Sequence, residues 1–278
     1  MFPDIEPFMG DLQSAEFVCI EDSLETDGSF FLFHFLSSAL KLKPPSTSSS
    51  PVIFLTLNQT PAHYSTVAAK LGLNLNRYLS EKRLTFLDAS NIFLKMEKSP
   101  EAAIDELSKQ LQTLIRERVK SDDCAKPASM AKQKLFVLVD SLSVLLDLGC
   151  SLARTVQFLL ELLDSSDGDQ ESVGSEHNIV VVSTVARDTS NEGGEENEKS
   201  GQRNDYELLA NFGAFKADVR LLVRPVGSGI SKDVSGELEI EPRYPTRKVV
   251  CEDKKIFHYR LGQRSVQFFQ PGLAAPVL

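Results

Sequence analysis

Five apolar residues in a row, Leu135 to Val139 (LFVLV), followed at once by Asp140, constrain the fold of this chain more than any other stretch. A run this short without polar alternation predicts a strand covered on both faces, the situation of a parallel sheet flanked by helices. The acid then stands at the carboxyl end of the strand, where doubly wound α/β proteins bind their ligands. Two roles are open to Asp140 there. It can hold a magnesium-bound water, as nucleotide-hydrolysing enzymes require, or its side-chain oxygen can cap the turn that follows.

Strand, loop and helix recur along the chain. Further apolar strands are predicted at Phe17 to Ile20, Val52 to Leu57, Leu84 to Leu87 and Ile179 to Val182. A mainly apolar helix runs through FFLFHFLSSAL. A second starts at Thr60 and Pro61, because proline in the first helical position loses no needed hydrogen bond, and it stops at Gly72. Ser99 and Pro100 repeat that start, and Ile104, Leu107, Leu111, Leu114 and Ile115 then fall on one face. Arg116, Arg118 and Lys120 suit the negative end of this helix dipole. Ser151 to Leu163 predicts another helix. After a short helix around Tyr206 to Phe212, the segments ADVRLLVR, GELEIEP, KKIFHYRL and SVQFF follow at hairpin spacing, with Gly236 and Gly262 near turns.

Alternation of this kind predicts an α/β fold, a doubly wound, mainly parallel sheet with an antiparallel C-terminal extension, in a single domain over residues 1–278. Flexible loops are expected at 44–51, 165–177 and 187–203. The last has too little apolar surface to offset the entropy of ordering it.

A nucleotide hydrolase of this design needs G-x-x-x-x-G-K-[ST] between its first strand and first helix, for backbone N–H groups to cradle phosphates and the lysine to neutralise them. The loop here is EDSLETDGSF, beginning at Glu21. With the helix registers matched, Thr26 precedes Asp27 at the second glycine, Gly28 at the lysine and Ser29 at the hydroxyl. The lysine is absent, and Glu21, Asp22, Glu25 and Asp27 add negative charge that would repel a triphosphate. The phosphate loop is degenerate, no cofactor or metal is expected, and Asp140 is left as a turn or packing residue in a Walker-B-like position.

Other candidates carry less. His34 lies inside the apolar helix and suits the core. His63 and Tyr64, in the first turn of the second helix, suit the surface or an interface. His177 and His258 have no acid or nucleophile at motif spacing. No G-x-G-x-x-G is present, and Ser228 and Ser231 lack the glycine spacing of a nucleophile elbow. Cys19, Cys124, Cys150 and Cys251 form no C-x-x-C pair, so neither a zinc site nor a disulfide scaffold is indicated. The net charge of -9 disfavours independent nucleic-acid binding, and Arg243, Arg247, Lys248, Lys254 and Lys255 are the weak candidates for phosphate contact. The N-terminal residues lack the basic and apolar regions of a secretory signal, and Phe30 to Leu42 is too short to span a bilayer. A soluble protein of the cytoplasm, with the nucleus as a second compartment, is expected, without a membrane partner.

Several stretches in order carry a resemblance: TDGSF and HFLS at 26–30 and 34–37, AHYSTVAAKLG at 62–72, VLVDSLSVLLDLG at 137–149, SKDVSGEL at 231–238, and the ending SVQFF-x-x-G-L-x-x-x-V-L. Together they resemble the subunit-six family of the Elongator complex. The resemblance implies a RecA-like fold of the P-loop NTPase type that has lost its catalytic motifs. It also implies partners: Elongator subunits four and five in a heterohexameric ring, the Elongator catalytic core, and tRNA bound through the assembled ring. That complex supports carboxymethyl-type modification of wobble uridine, U34, and a subunit of this family is not the enzyme. The alternatives are an active P-loop ATPase of recombinase type, which the missing lysine opposes, and a free-standing RNA-binding protein, which the acidic charge opposes.

Overall fold

The computed structural model describes residues 2, 4–5, 7, 15–23, 25–41, 51–95, 99–123, 134–164, 179–187, 204–226, 233–242 and 254–272. Loops 44–50, 165–177 and 188–203 lie outside the described residues, as do His177, Ser228, Ser231, Arg243, Arg247, Lys248, Cys124 and Cys251. The chain groups into two compact units, one of Leu32–Ser183 and one of Met1–Phe31 with Thr184–Leu278.

In the unit of Leu32–Ser183 the strands are β2 (Val52–Thr56), β3 (Leu84–Asp88), β4 (Leu135–Val139) and the first part of β5 (Ile179–Ala186); β1 belongs to the other unit. Their order is β3-β2-β4-β5, with parallel pairing throughout. Every residue of β2 and β4 is buried, as unbroken apolar runs require. The helices are α1 (Phe30–Lys41, shared with the other unit), α2 (Pro61–Lys70), α3 (Leu75–Ser80), α4 (Ser90–Lys95), α5 (Pro100–Asp123), α6 (Ser143–Asp147) and α7 (Leu152–Asp164).

The start signals act as expected. Thr60 Oγ1 accepts the His63 N–H at 3.2 Å, and Gly72 ends the segment with φ of 77°, a left-handed conformation that glycine adopts without strain. Ala103, Ile104, Leu107, Leu111 and Ile115 form the buried face of α5, and Thr155, Phe158, Leu159 and Leu162 that of α7. Each fully buried phenylalanine or leucine contributes about 1.5–3 kcal/mol relative to exposure.

The other unit holds β1 (Phe17–Asp22), the end of β5, α8 (Asp205–Lys216), β6 (Val219–Arg224), β7 (Gly236–Pro242), β8 (Lys255–Leu261) and β9 (Val266–Phe269). β1 pairs parallel with β6, after which β6, β7, β8 and β9 pair antiparallel in sequence. The antiparallel strands alternate with period two. One face carries Leu221, Val223, Leu238, Ile240, Phe257, Tyr259 and Phe268, all buried. Gly236 lies opposite Tyr259, and an added Cβ would come within 2.5 Å of its hydroxyl, so close packing fixes glycine there. The opposite face carries Arg220, Arg224, Glu237, Glu239, Glu241 and His258.

β1 runs two residues beyond the apolar run, through Glu21 and Asp22, which the sequence places in the loop. Glu21 is fully buried and tolerated in a strand because Arg187 and Arg220 neutralise it.

Candidate functional site

The loop between β1 and α1 is closed upon itself. Asp22 Oδ2 accepts the Gly28 N–H at 3.0 Å, Asp27 Oδ1 accepts the Ser29 N–H at 2.8 Å, and Thr26 Oγ1 accepts the Ser23 N–H at 3.1 Å. The Thr26 hydroxyl in turn donates to the Val223 carbonyl at 3.0 Å. A phosphate cradle leaves such N–H groups open to the ligand; here carboxylates and a hydroxyl occupy them. Gly28, at the lysine position, is sterically fixed as well. A Cβ there would stand 2.9 Å from Ile20 Cγ2 and 3.4 Å from Asp22 Cβ. Ser29 is in the turn immediately before α1. Burial pushes the Asp22 carboxyl up to about 7, against the Gly28 hydrogen bond, with Asp27 adding repulsion.

Asp140, in the other unit, follows β4 and is 2% exposed. Its Oδ1 accepts the Leu57 N–H at 2.7 Å, and its Oδ2 accepts the Asn58 N–H at 2.9 Å, the Gln59 N–H at 3.1 Å and the Tyr64 hydroxyl at 3.0 Å. It therefore caps the segment joining β2 to α2. A carboxylate has about four acceptor sites, and these donors fill them. Burial raises the Asp140 pKa above the ordinary carboxylate value, although all four hydrogen bonds pull it down.

Tyr64 is a correction to the sequence reading. It is buried, packs against Phe54 with ring centroids 4.5 Å apart, and reaches Asp140 from the first turn of α2. The available signal was its spacing: Tyr64 and Ala68, four apart, are the two buried residues of that helix. His63 is exposed, whereas His34 is fully buried and burial lowers its pKa to about 3, as suits a neutral core imidazole.

Sequence reasoning also missed a ladder of alternating charge on the polar face of the antiparallel strands. Arg187 Nε donates to Glu21 at 2.7 Å; Arg220 donates to Glu21 at 2.5 and 2.9 Å and to Glu241 at 3.0 Å. Lys254 bridges Glu241 and Glu239, and Arg224 bridges Glu239 and Glu237 at 2.7 and 2.9 Å. Lys254, one of the weak phosphate candidates, is thus already engaged by carboxylates, while Lys255 opens β8. The alternating glutamates of GELEIEP were the signal.

Among the described residues no group of three or more His, Cys, Asp or Glu side chains is arranged to hold a metal ion, and no helix is long and apolar enough to cross a membrane.

Residues 9–263 match the family described as Elongation complex protein 6. The chain is 30% identical to Elongator complex protein 6 of Xenopus tropicalis over 100% of both chains. It is 29% identical to the Homo sapiens protein of the same description, over 91% of this chain and 90% of that one. Among solved structures, it is similar to an uncharacterized protein of Pyrococcus horikoshii in complex with an unknown peptide, with TM-score 0.62, 15% identity and 98% of each chain covered. A KaiC-like protein of the same archaeon aligns with TM-score 0.53 and 12% identity over 94% of this chain and 95% of that one. At these identities the structural likeness shows the fold alone, which is the RecA-like α/β fold.

Proposed function

The chain belongs to the Elongation complex protein 6 family, and on that premise we propose that it is a non-catalytic subunit of the Elongator complex. It joins the two related subunits, four and five, in a heterohexameric ring that docks on the catalytic core and binds tRNA. In that setting it supports carboxymethyl-type modification of wobble uridine, in the cytoplasm and the nucleus, while doing no chemistry itself.

The observation that carries the reading is the loop after β1. Its Gly28 and Ser29 N–H groups are capped by Asp22 and Asp27, and the space for a side chain at Gly28 is taken by Ile20. Phosphate-binding chemistry needs those donors and a lysine, so what the fold retains is its scaffold. Neighbour contacts are the use left to it. Glu25 is exposed on this loop, whereas Asp22 and Asp27 hold the loop together. Charge on such a surface steers partner choice more than it adds affinity.

Mixing the purified protein with the two related subunits should give a ring-sized species in light scattering, which Glu25→Lys weakens. The ring should bind tRNA in a salt-sensitive way and the lone subunit poorly. A chain that stays monomeric beside both partners, or that alone binds tRNA as well as the ring does, contradicts this reading.

A further inference from the structure

In the unit that holds β1, the charged ladder borders a cavity of about 230 Å³. Asp22 and Ser23 line it from the end of β1, with Arg187, Arg220, Arg224 and Lys254 beside them. Glu21 and Glu241, the carboxylates that neutralise Arg220, do not contribute to the lining. Glu239 does, but its oxygens are already taken by Arg224 and Lys254.

Each guanidinium carries five N–H donors, and the three arginines use theirs differently. All three nitrogens of Arg220 are engaged by Glu21 and Glu241. Arg187 commits Nε to Glu21 and Nη2 to Asn211, and its Nη1 has no hydrogen bond among the described residues. Arg224 commits only Nη2, to Glu237 and Glu239, so its Nε and Nη1 are open in the same sense. The cavity is therefore walled by two guanidinium groups whose orientation is set by carboxylates and whose remaining donors are unspent. Such preorganised forks match the oxygens of a tetrahedral anion. Its volume falls below the roughly 300 Å³ at which pockets for drug-sized ligands begin, which suits a ligand of a few heavy atoms.

We infer that this cavity is a binding site for a small dianionic oxyanion of the phosphate and sulfate class, held by the open N–H groups of Arg187 and Arg224. The site adjoins the capped loop at Ser23 and does not draw on the Gly28 and Ser29 N–H groups, which Asp22 and Asp27 hold. The Asp22 carboxyl, next to Glu21 in β1, lies on the opposite face, toward the Gly28 N–H, Asp27 and Tyr259, so the open arginine donors and not an acid define the site.

Sulfate is the probe of choice because its charge is constant around neutral pH. The thermal midpoint of the full chain should rise saturably with sodium sulfate and not with sodium chloride at matched ionic strength. Arg187→Gln and Arg224→Gln should each weaken the apparent affinity by about tenfold, as expected for a lost charged hydrogen-bond donor. Both variants leave the buried acids paired, since Glu21 keeps Arg220 and Glu239 keeps Lys254, and Arg224→Gln frees only the part-exposed Glu237. Inorganic phosphate binding without glycerol phosphate binding assigns a free anion, and binding of both assigns a phosphate ester. Equal shifts from sulfate and chloride overturn the inference, as does an undiminished sulfate response in the double variant. If the double variant fails to unfold cooperatively, the single Arg224→Gln decides by the same criterion.

Discussion

Asp140 and Glu21 are both buried acids at or near a strand's end, one in each compact unit, yet they are held by opposite means. Asp140 is surrounded by three backbone N–H groups and a tyrosine hydroxyl, all neutral. Glu21 is clasped by the guanidinium groups of Arg187 and Arg220. Neutral donors satisfy hydrogen-bonding capacity without cancelling charge, and burial leaves the pKa of Asp140 raised. Cationic donors do both, and so permit an acid inside a strand that would otherwise have ended at Ile20. The first arrangement fixes a local backbone conformation; the second ties distant strands together.

The largest expected effect tests the cationic side. Glu21→Ala takes from the mostly buried Arg187 its one carboxylate among the described residues, leaves Arg220 with Glu241 alone, and should cost about 3–5 kcal/mol in urea unfolding. Asp140→Ala leaves four donors without their acceptor, some of which water can reach through the exposed Asn58 and Gln59, and should cost about 2–3 kcal/mol. If the order of these two costs is reversed, the distinction drawn between the two regions fails.

A sharper contrast comes from pH. Asp22 has a folded pKa of about 7, above its unfolded value near 3.9. Between those values the folded state holds more protons, so this group makes stability fall as pH rises from about 4 to 7. Asp22→Asn should remove that slope, gaining about 1–2 kcal/mol on the wild type between pH 5 and pH 8 once partial exposure is allowed for. Parallel stability curves for the two proteins would show that Asp22 does not titrate in this window. The smallest effect is Tyr64→Phe, which removes one of four donors to Asp140 and should cost about 1 kcal/mol in the same urea assay.

The parallel strands and capped helices were legible because their determinants are local: LFVLV and VIFL need cover on both faces, and Thr60-Pro61 and Ser99-Pro100 start helices by their own chemistry. α3, α4 and α6 were not, since helices of five or six residues are too short to show a period of 3.6. The end of β1 was hidden for another reason. The partners that admit Glu21 lie 166 and 199 residues away in sequence, and Tyr64 lies 76 from Asp140. Pairings at that range leave no periodic trace in either segment. Gly28 shows the limit from the other side: the missing lysine was visible in the loop, but its exclusion by Ile20 needed the packing of β1.

The central claim is that the RecA-like scaffold persists here without phosphate-transfer chemistry, because the chain's own carboxylates occupy the donors that a nucleotide would use. Single-turnover hydrolysis of magnesium-ATP by the isolated full chain tests it most directly. The account predicts no hydrolysis above the blank and no change with Asp140→Ala. Magnesium-dependent hydrolysis that Asp140→Ala abolishes would contradict it.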